Sequence, residues 1–290
     1  MNLVVGATGV LGMEICRLLA GDGKPVRALV RPTSAEGKKA ELRKLGIELA
    51  EGDLKDPYSL EKACRNVESI ISTATSIVSK QDGDSLAKTD RDGQLALIDS
   101  AEKQDVKRFI FISFPPTPAE FPLQSAKRDV EKRLKNSKLD FVILQPTLFQ
   151  EVWLGPHLGF DAVAGKARIY GSGTNKISWI SFRDVAQFAV RSLETPATIN
   201  QVIQLGGPES LSPLEVIKIF EQKTGRTFQV EYVPEDALKA QYESATDPTQ
   251  KTFAGLMLNY ASGAVIDMGP VLKMMPAKLR SIEDYAAATV

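Results

Sequence analysis

A single histidine stands in a chain of 290 residues. That scarcity excludes a multi-histidine metal centre, and no HExxH run or cysteine pair offers another ligand set. A Ser-His-Asp triad would have to run through His157, which lies in a Gly-Pro-His-Leu-Gly stretch with no nucleophile elbow beside it. Acid–base chemistry therefore falls to Lys, Tyr, Asp, Glu or a hydroxyl. The two cysteines, Cys16 and Cys64, sit apart inside helical patterns, where a small buried apolar side chain is the ordinary role. Net charge is missing too: 36 Lys and Arg balance 36 Asp and Glu. A global electrostatic pull toward nucleic acid or a membrane surface is excluded. No apolar run reaches the roughly 18 residues needed to span a bilayer. The chain enters an apolar strand right after Met1-Asn2 without a basic leader, so the expectation is a cytoplasmic protein.

What is present is a regular alternation. Strand-like runs at Asn2–Val5, Pro25–Val30, Ile47–Glu51, Ser69–Ser72, Arg108–Ser113 and Phe141–Leu144 are separated by helical patterns at Val10–Ala20, Ala35–Leu45, Tyr58–Arg65, Leu86–Lys103 and Ser125–Lys135. This alternation predicts an α/β fold, a doubly wound parallel sheet with right-handed crossovers and helices on both faces. Runs such as "NLVV" and "FIFI" are apolar on both sides, as strands covered on both faces must be. A helix at Ser181–Leu193 and a strand at Ile199–Leu205 return to the sheet. The expected division is a dinucleotide-binding domain over 1–150 plus 181–205, and a smaller, discontinuous substrate or partner subdomain over 151–180 and 206–290.

In such folds ligands sit at the carboxyl ends of the strands. The first strand is followed by "GATGVLG", with Gly6, Gly9 and Gly12 opening a helix. The first glycine serves the tight turn, the second lets backbone approach a pyrophosphate, and the third allows helix and strand to pack closely. The helix N-terminus adds free N–H groups and a partial positive charge. At the end of the second strand, "RALVRPTS", no Asp or Glu awaits a ribose hydroxyl; Arg31 stands there, with Thr33 and Ser34 following. A guanidinium suits a 2′-phosphate, so NADP(H) is the expected cofactor, against the plainer reading of a solvated strand-end arginine.

With these segments "GDLKDPYSL", "SWISFRDVAQFAVRSL" and "LGGPESLSPLEVIKIFEQKTGR", the chain resembles the NmrA-like group, atypical members of the short-chain dehydrogenase/reductase superfamily built on the Rossmann fold. The resemblance extends over nearly the whole chain. It implies a cofactor site made by the Gly6–Gly12 turn with Thr8, Val10 and Leu11, by Asp53 and Leu54 beside the adenine, and by Thr73, Ala74 and Thr75 along the cofactor. It further implies Ser113, Gln145, Pro146 and Thr147 on the nicotinamide side. Asp53 and Ser113 also admit plain readings, as a turn residue and a strand-end hydroxyl.

One departure matters. Superfamily enzymes use a tyrosine as acid and a lysine four residues later on the same helical face. Here the lysine matches Lys127, but Leu123 occupies the tyrosine position, and leucine transfers no proton. Lys127 is expected in the first turn of its helix, as cofactor ligand or acid, while Arg128, Asp129, Glu131, Lys132, Arg133 and Lys135 form a salt-bridged, solvated face. Aromatic residues at Phe114, Phe149, Trp153 and Trp179 are candidates for an apolar substrate pocket, or simply core. Two functions stay open: a reductase of a small apolar electrophile, and a non-enzymatic redox sensor read by a protein partner. A scaffold that has lost its chemistry is a third.

Overall fold

The computed structural model describes residues 1–77 and 81–289. Its chain divides into two compact units: Met1–Ser113 with Leu123–Gln145 and Val185–Ile203, and Phe114–Pro122 with Pro146–Asp184 and Gln204–Val290.

The first unit is organised by short strands with apolar centres. Strands β1 (Asn2–Val5), β2 (Val26–Val30), β3 (Glu48–Glu51), β4 (Ser69–Ser72), β5 (Arg108–Ile112) and β6 (Asp140–Pro146) pair in the order β3-β2-β1-β4-β5-β6, and β9 (Gln201–Leu205) closes the far edge. The five pairings from β3 to β6 are all parallel. Parallel strands need crossovers, and the helices supply them: α1 (Val10–Gly21), α2 (Glu36–Lys44), α3 (Pro57–Ala63), α4 (Gly93–Lys103) and α5 (Pro122–Lys135). Leu3, Val5, Ile70, Phe109, Phe111 and Ile143 from the strands pack with Leu97, Ile98, Val130 and Leu134 from the helices in one core. The doubly wound α/β architecture expected from the alternation is what forms.

Two boundaries differ from expectation, and both matter for the site. The helix expected over Leu86–Lys103 is two pieces: a π-helical turn at Leu86–Asp92 leads into α4. Ser85 caps that turn through the Lys88 N–H at 3.1 Å. Gly93 follows where an added Cβ would lie 2.7 Å from the Leu54 Cβ, so the chain passes close to the β3 end. The wider turn has no signature in the 3.6-residue pattern. Helix α5 starts at Pro122, three residues before the expected start, because proline is well suited to a first helical position. Lys127 therefore lies in the second turn.

The second unit carries short α6 (Gln150–Trp153), strands β7 (Phe160–Asp161), β8 (Lys166–Tyr170) and β10 (Gln229–Val233), and helices α7 (Phe182–Arg191, shared with the first unit), α8 (Pro213–Thr224), α9 (Glu235–Ser244), α10 (Pro248–Ser262), α11 (Gly269–Met274) and α12 (Ile282–Thr289). Its small sheet runs β10-β8-β7, and its core gathers Ile169, Trp179, Phe220 and Tyr260. Helix α8 begins with a full capping box: Ser212 accepts from the Glu215 N–H and Glu215 accepts from the Ser212 N–H.

Candidate functional site

The glycine turn is built tightly. Gly6 has φ +86°, and a Cβ there would meet Thr73 Oγ1 at 2.6 Å and Ala74 N at 2.8 Å. A Cβ on Gly12 would fall 2.2 Å from the Gly6 carbonyl oxygen. The turn, the start of α1 and the end of β4 are thus in backbone-to-backbone contact, with Thr73 donating from Oγ1 to Val5 O at 3.2 Å. Gly9 caps α1 without a side-chain hydrogen bond, and no acidic residue enters the first turn. The first-turn N–H groups keep their positive end undiminished. Gly9 and Val10 are exposed, Thr8 and Leu11 half-buried. Such a cradle, which any β-carbon would fill, fits a phosphate group.

At the ends of β2 and β3 the structure adds two charged residues that sequence reading passed over. Arg31 Nη1 lies 2.7 Å from Asp84 Oδ2. Lys55 also pairs with Asp84, and its Nζ is 3.2 Å from Asp53 Oδ2. Asp53 further accepts from the Lys55 N–H at 2.8 Å. Thr33 Oγ1 meets Gln81 Oε1 at 2.6 Å, and Thr75 accepts from the Ile77 N–H at 3.4 Å. Leu54 points into the core of the first unit.

The chemistry concentrates under α5. Its buried face carries Leu123, Lys127, Val130, Glu131 and Leu134, with Leu123, Lys127 and Glu131 on one i, i+4 row. Lys127 is 5% exposed. Its Nζ donates to Ile112 O at 3.1 Å, at the end of β5, and sits 4.6 Å from the centre of the Phe111 ring. Burial drives its pKa below the usual lysine value; the nearby Asp90 and Glu131 carboxylates oppose that and lose.

Glu131, expected on a solvated face, is instead 4% exposed. Its Oε1 accepts three hydrogen bonds: from Ser113 Oγ at 2.6 Å, Gln145 Nε2 at 2.9 Å and Arg128 Nη1 at 2.7 Å. These donors replace the water that burial removes. Ser113 and Gln145, two of the expected residues, are thereby joined through a carboxylate that reads in sequence as one more surface glutamate. Asp90, from the π-helical turn, is fully buried; its Oδ2 accepts from the Ser76 N–H at 2.9 Å and from Ser76 Oγ at 2.6 Å, while Oδ1 is without a partner among the described residues. Only a sensor of buried charge could have found these two: neither lies in a recognisable motif.

The other expected residues belong to the second unit. Thr147 is buried, donates from Oγ1 to Ser178 O and from its backbone N–H to Leu205 O at 2.9 Å; Pro146 precedes it at the end of β6. Phe114 stacks on Phe121 with centroids 5.9 Å apart. Trp153 stacks on Tyr260 at 5.4 Å, and Trp179 meets the same ring edge-on at 5.8 Å. Trp179 is 1% exposed and its indole N–H donates to Leu211 O at 2.9 Å, so it packs inside this unit. Phe149 is half-buried at the start of α6.

The family model described as the NmrA-like family matches residues 2–286. The chain belongs to the NmrA-like family. Within it, the chain is 30% identical over 299 residues to an NAD(P)H azoreductase from Xenophilus azovorans, covering 99% of this chain and 97% of that protein. It is 27% identical over 295 residues to the Photosystem II assembly factor Ycf39 of Trieres chinensis, covering 98% and 90%. Among solved structures, the NADPH complex of a quinone oxidoreductase from Escherichia coli superposes with a TM-score of 0.79 at 19% identity, over 99% of both chains. The fold is therefore shared at full length. Among the described residues no helix is long and apolar enough to cross a membrane.

Proposed function

We propose that this NmrA-like chain is an NADP(H)-dependent oxidoreductase acting on a small apolar electrophile such as a quinone or conjugated carbonyl, with Lys127 taking the place of the absent tyrosine. The observation that carries this reading is Lys127 itself, a buried ammonium with one hydrogen bond and a lowered pKa, one helical turn from Leu123. A lysine so placed holds its proton less firmly than it would in water, which is what a general acid requires. When bound, the nicotinamide supplies the electron pair as hydride. Ser113 already donates its hydroxyl proton to Glu131, so it can orient a donor but not deliver a proton. The glycine turn would take the pyrophosphate, and Arg31 the 2′-phosphate. The azoreductase relative supports the reaction class.

The test is rapid mixing of NADPH-loaded protein with a panel of quinones and conjugated carbonyls, followed at the nicotinamide absorbance. Oxidation that falls on the order of 100-fold in Lys127→Met, with NADPH still bound, is expected. No oxidation with any acceptor would sink the reading. A second reading, a cofactor-dependent partner sensor, draws on Leu123 and on the assembly-factor relative. It requires partner affinity that differs between NADP+ and NADPH states, since a ligand without differential affinity shifts nothing.

A further inference from the structure

Arg31 does not stand free at the end of β2. It and Lys55 share the carboxylate of Asp84, whose side chain is only 3% exposed against 30% for Arg31 and 25% for Lys55. Lys55 also holds Asp53. Among the described residues the four groups carry two positive and two negative formal charges, which balance. Asp84 is fixed there by its own turn: its N–H donates to Gln81 O at 3.1 Å, Gly83 sits at φ +78°, and Gln81 is bonded to Thr33. A carboxylate with two cations on it at a strand end is electrostatically what a phosphate oxygen would be in the same place.

A 2′-phosphate brings a charge of about −1.5 to −2, whereas a ribose 2′-hydroxyl brings none. In a neutral cluster the phosphate must displace Asp84 from Arg31 and Lys55 or lie beside it as a like charge. Either way part of the attraction that an unpaired Arg–Lys pair would offer is already spent on Asp84. The hydroxyl-bearing dinucleotide pays no such penalty. We propose that Asp84 is a specificity-determining residue that sets the dinucleotide preference of this chain, holding the preference for NADP(H) over NAD(H) shallow so that both are bound. This rests on the dinucleotide reading of the glycine turn given above.

The experiment is equilibrium titration of the full chain with NADPH and with NADH, read by nicotinamide fluorescence, for wild type, Asp84→Asn, Arg31→Gln and the double variant. Asp84→Asn is nearly isosteric and removes one negative charge. It should tighten NADPH on the order of tenfold and leave NADH within about twofold. The gain should shrink in the double variant, because one of the two freed cations is then absent. Lys55→Gln gives an independent arm: it leaves the cluster net negative and should weaken NADPH more than NADH. An Asp84→Asn variant that weakens NADPH, or changes both dinucleotides equally, would overturn the proposal and make Asp84 a positioning residue for Arg31. Binding of neither dinucleotide by wild type or by any variant would overturn the dinucleotide reading itself, and this proposal with it.

Discussion

Replacing Glu131 with leucine removes the acceptor that three donors share. The magnitude follows from the geometry. Ser113 Oγ and Gln145 Nε2 belong to residues 6% and 3% exposed, so neither can turn to water when Oε1 is gone. Each stranded donor costs about 1–3 kcal/mol. Arg128 is partly exposed and can rehydrate, so its ion pair adds little. The buried leucine methyls return about 1–2 kcal/mol. The net expectation for Glu131→Leu centres on a loss of about 2–3 kcal/mol, a little below the roughly 3–5 kcal/mol typical of removing one partner of a buried charged pair. Glu131→Gln keeps an oxygen where Oε1 sits and loses only the charge assistance, about 1 kcal/mol. Urea denaturation followed by far-UV circular dichroism reads both. A Glu131→Leu midpoint indistinguishable from wild type, or a glutamine variant as damaged as the leucine one, would refute the three-donor arrangement. The leucine variant should also release the Ser113 hydroxyl, so a destabilised but still folded Glu131→Leu that has lost activity would separate positioning from folding.

Other substitutions test other parts of the chain. Gly12→Ala places a Cβ 2.2 Å from the Gly6 carbonyl, and it should abolish dinucleotide binding and cost several kcal/mol, of order 3, in a thermal melt. Lys127 has a folded pKa below 10.5 while the unfolded chain titrates near that value, so the unfolded state binds more protons in between. Wild-type stability relative to Lys127→Met should therefore rise as pH climbs from the lowered folded pKa toward 10.5, measured as urea midpoints; a flat difference would contradict the burial of a charged lysine. Cys16 and Cys64 are fully buried with thiol pKa values pushed up to about 12, so Ellman's reagent at pH 8 should label neither until urea is added. Ser212→Ala removes half of the α8 capping box and should cost about 1 kcal/mol.

Much of the first unit was legible because its signals are local. The "GATGVLG" turn needs φ +86° at Gly6 and no Cβ at Gly12, and glycine is the residue type that meets both. The alternation of apolar strands and amphipathic helices fixes the parallel sheet, since βαβ units close only one way. Glu131 and Asp90 were not legible, because a glutamate flanked by Arg128, Lys132 and Arg133 looks solvated in any one-dimensional pattern. The π-helical turn at Leu86–Asp92 was also invisible, since it leaves the hydrophobic period nearly unchanged.

By itself, then, the sequence determined the class of fold and the glycine cradle at the first strand's end. These are properties of residue type and short-range spacing. Tertiary structure alone decided which of six cations between Phe121 and Phe141 is buried, that Glu131 is the hub of Ser113 and Gln145, and that Asp84 closes on Arg31 across 53 positions of chain. The physical reason is desolvation. Whether a charge meets water or another charge depends on what the rest of the chain packs over it, and no local pattern carries that information.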